Sequence, residues 1–107
     1  MRELFFKSLF RCIRKIESYE MFENIKSLYY AVLELCLSFK MIQLFEPSLN
    51  KICVNQTGID IEKIYDFPSD PEGFFSKPEI QFLCENIGQL KNFFVKYEKR
   101  LKSGFPY

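Results

Sequence analysis

Between Met1 and Glu46 the chain contains neither glycine nor proline. No helix breaker interrupts that stretch, so only a change in the phase of its apolar residues can divide it. Phe5, Phe6, Leu9, Cys12, Ile13 and Ile16 share one face of an amphipathic helix over residues 2–17. Continuing that rhythm would bring Glu20 and Glu23 onto the same face, where an unpaired charge is costly to bury. The rhythm restarts instead at Phe22, Ile25, Tyr29, Val32, Cys36 and Phe39. A turn or kink near Glu17 to Glu20 reconciles the two, with Ser18 as N-cap and Glu20 and Glu23 favourable in a first turn. One long bent helix over residues 2–46 is the alternative.

The second helix, over about residues 20–46, is apolar nearly all round from Leu28 to Phe45. Its polar residues form one narrow line through Glu23, Ser27, Tyr30, Glu34 and Ser38, which predicts a central helix covered by the others. Glu34 and Lys40 interrupt the apolar run, so no transmembrane segment is expected. Pro47 stops the helix. Residues 48–54 suit a short helix ended by Asn55, Thr57 and Gly58. Residues 59–67 fit a strand or a helical turn equally, and Pro68, Pro71 and Gly73 mark a loop.

The segment SKPEIQFLCENIGQLKNFFVKYEKRLKSG, residues 76–104, carries a stripe of Ile80, Leu83, Ile87, Leu90, Phe94, Tyr97 and Leu101. Ser76 with Glu79 has the spacing of a capping box, Pro78 suits a first turn, and Gly104 suits the position past the end. The fold expected is an all-α antiparallel helical bundle in a single domain, residues 1–107. It consists of three long helices plus a short helical or irregular connection.

Charge is distributed unevenly although the net value is +1. Residues 1–17 sum to +3 and residues 91–107 to +4, leaving −6 for the acidic centre. Histidine is absent, which removes Ser-His, Cys-His and His-metal arrangements. Cys12, Cys36, Cys53 and Cys84 form no C-x-x-C pair, and charges at positions 2, 3, 7 and 11 break any secretory apolar core. The thiols therefore read as reduced, buried, small apolar residues of an intracellular, most simply cytoplasmic, protein. The four glycines are isolated, so no phosphate-cradling loop exists, and no cofactor or metal is expected.

Three surfaces could carry a function. Tyr65 and Phe67 interleave with Asp66, Asp70 and Glu72 in an acidic aromatic loop, the pattern of an interface anchor with charges that steer a basic partner. The same carboxylates could serve catalysis only if they converged in a pocket; solvated loop charge is the plainer explanation. The last helix is long enough to overhang its neighbours, which would leave Phe94, Tyr97 and Leu101 to be covered by the first helix or by a partner, and Phe82 lies on its opposite side. On the first helix Lys7, Arg11, Arg14 and Lys15 form a basic ridge beside Phe10. Such a row is commonly a solvated face, but beside the second basic cluster, Lys96, Lys99, Arg100 and Lys102, it could grip phosphates.

The stretch IYDFPSDPEG, residues 64–73, resembles the tyrosine-and-proline loop of the nuclease-colicin immunity proteins. The paired tyrosines of that family are not reproduced, and the rest of the chain does not align with it. The resemblance implies a toxin-neutralising binder. Together the residues point to a non-catalytic intracellular binding protein, of the inhibitor or immunity type or an adaptor subunit, whose partner is another protein or its own copy. The alternatives are a nucleic-acid-associated protein using the basic helices, and a self-associating structural protein.

Overall fold

A computed structural model describes residues 2–18, 24–65 and 71–103. It is all-α: among the described residues there are six α-helices and one 3-10 turn, and no strand. The first two helices, α1 (Arg2–Ser18) and α2 (Ile25–Gln43), form a hairpin. Phe5 meets Phe45, Ser8 meets Ser38 and Cys12 meets Glu34, so the two helices run antiparallel. The phase break thus separates two helices, but Ser18 is not the cap. Its hydroxyl donates to the Lys15 carbonyl at 3.0 Å and closes α1. Asn24 caps α2 instead, its side-chain oxygen accepting the Ser27 N–H at 3.2 Å. Glu20, Phe22 and Glu23 lie outside the described residues.

The third long element is divided. Helices α5 (Pro78–Glu85) and α6 (Ile87–Lys102) meet at Asn86, whose side-chain amide donates to the Phe82 carbonyl at 2.9 Å. Asn86 leaves the helical conformation, with φ −115° and ψ 24°, which divides the element there. The apolar stripe crosses the break without losing phase: Ile80, Leu83, Ile87, Leu90, Phe94 and Tyr97 are all buried. The capping box does not form. Pro78 occupies the first helical position, which makes Lys77 the cap, and the Ser76 hydroxyl donates to the Gly73 carbonyl at 2.8 Å instead. Gly104 lies outside the described residues.

Phe6 meets Phe94 and Tyr97, while Glu17 pairs with Lys91 at 3.3 Å, so α6 also runs antiparallel to α1. Phe39 of α2 meets Phe94 edge-on at 5.8 Å, closing a three-helix core. The short elements pack along the side of the bundle, reaching α2 from Tyr29 near its start to Gln43 at its end. Helix α3 (Leu49–Thr57) stops at Gly58, whose φ of 77° no β-carbon residue adopts without strain. Asn50, buried on α3, accepts the Ile61 N–H at 3.0 Å and donates to Asp60 at 2.9 Å. That tie resolves the segment from residue 59 onward, ambiguous by pattern, as a 3-10 turn over Ile61–Ile64. In α4 (Pro71–Phe75), Phe74 and Phe75 tuck inward, Phe74 against Tyr29 at 5.0 Å.

Candidate functional site

The acidic aromatic segment supplies less free surface than its composition suggests. Tyr65 is half-buried: its hydroxyl donates to Gln43 at 2.6 Å, and Lys40 Nζ sits 4.3 Å from its ring centroid. Burial, with Glu62 and Asp60 nearby, raises the phenol above its ordinary range. Tyr65 is therefore a contact between the 3-10 turn and α2. Glu72 is exposed in the first turn of α4, and Asp66, Phe67 and Asp70 lie outside the described residues.

The expected partner-facing end of the last helix faces inward. Phe94 is fully buried and Tyr97 nearly so, because α1 runs alongside and covers them with Phe6. Leu101 is half-buried against the same core. Phe82 remains exposed, yet it has an internal neighbour: its ring lies over Gly58, and a β-carbon there would sit 3.6 Å from Phe82 Cζ. Among these residues the stripe is core, and α1 lies along α6 where an overhang was expected.

The basic ridge and the end of α6 do adjoin. Lys7, Arg11, Arg14 and Lys102 line one open groove of about 830 Å³ with Glu3, Glu98, Leu4, Ser8 and Phe10. Two of its cations are paired, Arg11 with Glu34 at 3.9 Å and Lys102 with Glu98 at 3.7 Å. Lys15 is separate, lining a smaller depression with Ser27, Tyr30, Ala31 and Glu34. Lys96 belongs to a third, on the α3 side of α6.

The four cysteines are free thiols, three buried and Cys84 half-buried. Desolvation pushes Cys12 and Cys36 up to about 12 and Cys53 and Cys84 up to about 11, and the Glu34 carboxylate adds to the rise at Cys12. They stay protonated at neutral pH and are not activated nucleophiles. Among the described residues no group of three or more Cys, Asp or Glu is placed to hold a metal ion, and no helix is long and apolar enough to cross a membrane.

The largest feature that pattern reading missed is on α2. Its buried residues Leu28, Val32, Leu35, Phe39 and Ile42 define one side, and at about 100° per residue Leu37 points the opposite way. Tyr30 and Leu37 are each 56% exposed, Met41 43% and Leu44 74%, with half-buried Leu33 between them. Phe45, packed on Phe5, and exposed Leu4 extend the patch at the open end of the hairpin. The helix is thus covered on one side only. Ser38, expected on the polar line, is buried between the helices and donates to Ser8 at 2.9 Å. The available signal was the run of Leu33, Leu37, Met41 and Leu44 at helical spacing, opposite a second apolar face. No family model matches the chain, and comparison with curated proteins and with solved structures finds no match.

Proposed function

We propose that this chain is a non-catalytic protein-binding module that docks through the outer face of α2. The observation that carries the reading is the contiguous exposure of Tyr30, Leu37, Met41 and Leu44 on a helix whose other side is core. Isolated apolar residues on a surface need no explanation, but a helical row rimmed by Glu34 and Lys40 has the composition of an interface centre with a polar rim. The experiment is urea unfolding of Leu37→Glu at sub-micromolar concentration. Stability should stay within about 0.5 kcal/mol of the parent chain, as for other solvent-facing substitutions. A loss above about 2 kcal/mol would assign Leu37 to the chain's own core and remove the docking face.

A second reading rests on the groove between α1 and α6, where Lys7, Arg11, Arg14 and Lys102 converge. An anionic polymer held there would show steeply salt-dependent binding, lost together in Lys7→Ala and Arg14→Ala. Interleaved Glu3 and Glu98 oppose this use of the groove, and the α2 face carries the stronger case.

A further inference from the structure

The apolar row on α2 is edged by positive charge. At about 100° per residue, Glu34 and Lys40 lie about 60° to either side of Leu37 and so mark opposite edges of the row. Exposed Lys26 lies within about 20° of Leu37's direction, one turn before Tyr30. On the Glu34 edge α1 contributes Arg11, 3.9 Å from that carboxylate, and Lys15, which shares a depression with Tyr30 and Glu34. On the other edge the Tyr65 ring holds Lys40 Nζ at 4.3 Å. The carboxylates at these edges are engaged within the chain. Glu34 Oε2 accepts the Cys12 thiol at 3.2 Å and faces Arg11, and Glu62 Oε1 accepts the Gln43 amide at 3.0 Å. Arg11, Lys15, Lys26 and Lys40 outnumber them, so the rim is positive to whatever lies on the row.

That sign disfavours a second copy of the chain. A two-fold axis that sets two α2 helices antiparallel opposes each edge to itself, and one that sets them parallel opposes Arg11 and Lys15 to Lys40. Cations meet cations in both. An anionic lipid surface matches the rim less well, because its headgroups would reach the Glu34 carboxylate as well as the cations beside it. A helix places each acidic side chain separately, and the row suits one: Tyr30 to Leu44 spans about 21 Å, or about four helical turns.

We infer that the occupant of this face is an amphipathic helix of a partner protein, with its apolar stripe on Leu33, Leu37 and Met41 and its flanking Asp and Glu side chains toward Arg11 and Lys15 on one edge and Lys40 on the other. The inference rests on the reading of that face as a docking surface. Lys40 is already held by the Tyr65 ring and Arg11 by Glu34, so less side-chain ordering is left to be completed on binding.

The test uses the full chain and two labelled synthetic peptides of about 18 residues, each with leucines at helical spacing, flanked by Glu in one and by Lys in the other. By fluorescence anisotropy at moderate salt, the Glu peptide should bind at least about tenfold tighter than the Lys peptide. Lys15→Glu with Lys40→Glu should reverse that order. Leu37→Gln, which removes apolar contact without adding charge, should weaken the Glu peptide by about tenfold. Equal affinity for the two peptides, both lost in Leu37→Gln, would overturn the acidic helix and leave the docking face standing. Tighter binding to phosphatidylserine vesicles than to the Glu peptide, or a parent chain that sediments as a dimer, would overturn it in favour of a lipid surface or a second copy. Binding of neither peptide would also overturn it. A hydrophobic dye then separates the two ideas: dye bound by the parent and lost in Leu37→Gln keeps the face, and no dye bound by the parent removes the face as well.

Discussion

Phe94→Ala should remove the centre of the three-helix core. Phe94 is fully buried, edge-on to Phe39 of α2 at 5.8 Å, to Phe6 of α1 at 6.4 Å, and to Phe93 at 5.0 Å. One ring therefore joins all three long helices, and no neighbouring backbone can collapse into its space without moving a helix. Truncating a buried Phe to Ala costs about 3–5 kcal/mol, a range that already contains the aromatic pair contributions of about 1 kcal/mol each. We expect about 4 kcal/mol, a large fraction of the roughly 5–15 kcal/mol by which a domain of this size is typically stable. The melting midpoint should drop by on the order of 20 °C. With no Trp in the chain, urea unfolding is followed by far-ultraviolet circular dichroism at sub-micromolar concentration. Phe94→Leu, which keeps most of the volume, should cost about 1 kcal/mol. A loss below about 1 kcal/mol for Phe94→Ala, with an unchanged denaturant slope, would refute the packing argument. Phe94 would then belong to a surface that a partner covers.

Three further outcomes follow from the geometry. Asn50→Ala leaves the Ile61 N–H buried without an acceptor and Asp60 without its donor, so urea unfolding should show a loss of about 2 kcal/mol. Gly58→Ala has room for the β-carbon beside Phe82 but keeps a φ of 77°, so the cost should be the backbone strain alone, about 1 kcal/mol, read from the same assay. The folded state binds the thiol protons of Cys12, Cys36 and Cys53 more tightly than the unfolded chain, whose thiols titrate near 9.0. Stability is therefore fully present below pH 9 and lost as pH rises toward the folded values of about 11 to 12. The fall should approach about 1.4 kcal/mol per pH unit for each buried thiol, and Cys36→Ala should make it shallower in thermal melts.

The all-α class, the helical hairpin and the cap at Gly58 were legible because each depends on local chemistry: apolar phase, missing breakers, a left-handed turn. The stripe from Ile80 to Tyr97 was legible as a buried row but not as two helices. Asn86 leaves the helical conformation without shifting the row's phase, so periodicity cannot register it. Ser76 and Glu79 have capping-box spacing, yet Pro78 fixes the helix start one residue later. The Asn50 tie to Ile61 spans eleven positions and leaves no periodic trace. On α2, serine and leucine exchanged their expected places. Ser38 is buried because Ser8 meets it across the hairpin, whereas Leu37 is exposed because no element of the described chain reaches that side. A helix apolar all round reads as central, and only tertiary placement shows which apolar side is left open. The same placement turned Phe94 and Tyr97 from interface to core, while Arg11, Glu34, Lys40 and Tyr65 came to frame the open face.

Whether the outer face of α2 is an open docking surface is tested most directly by binding of a hydrophobic dye to the folded chain at sub-micromolar concentration. The parent chain should bind the dye, and Leu37→Glu, equally folded by circular dichroism, should not. A parent chain that binds no dye, or dye binding that persists in Leu37→Glu, would contradict the reading of that face.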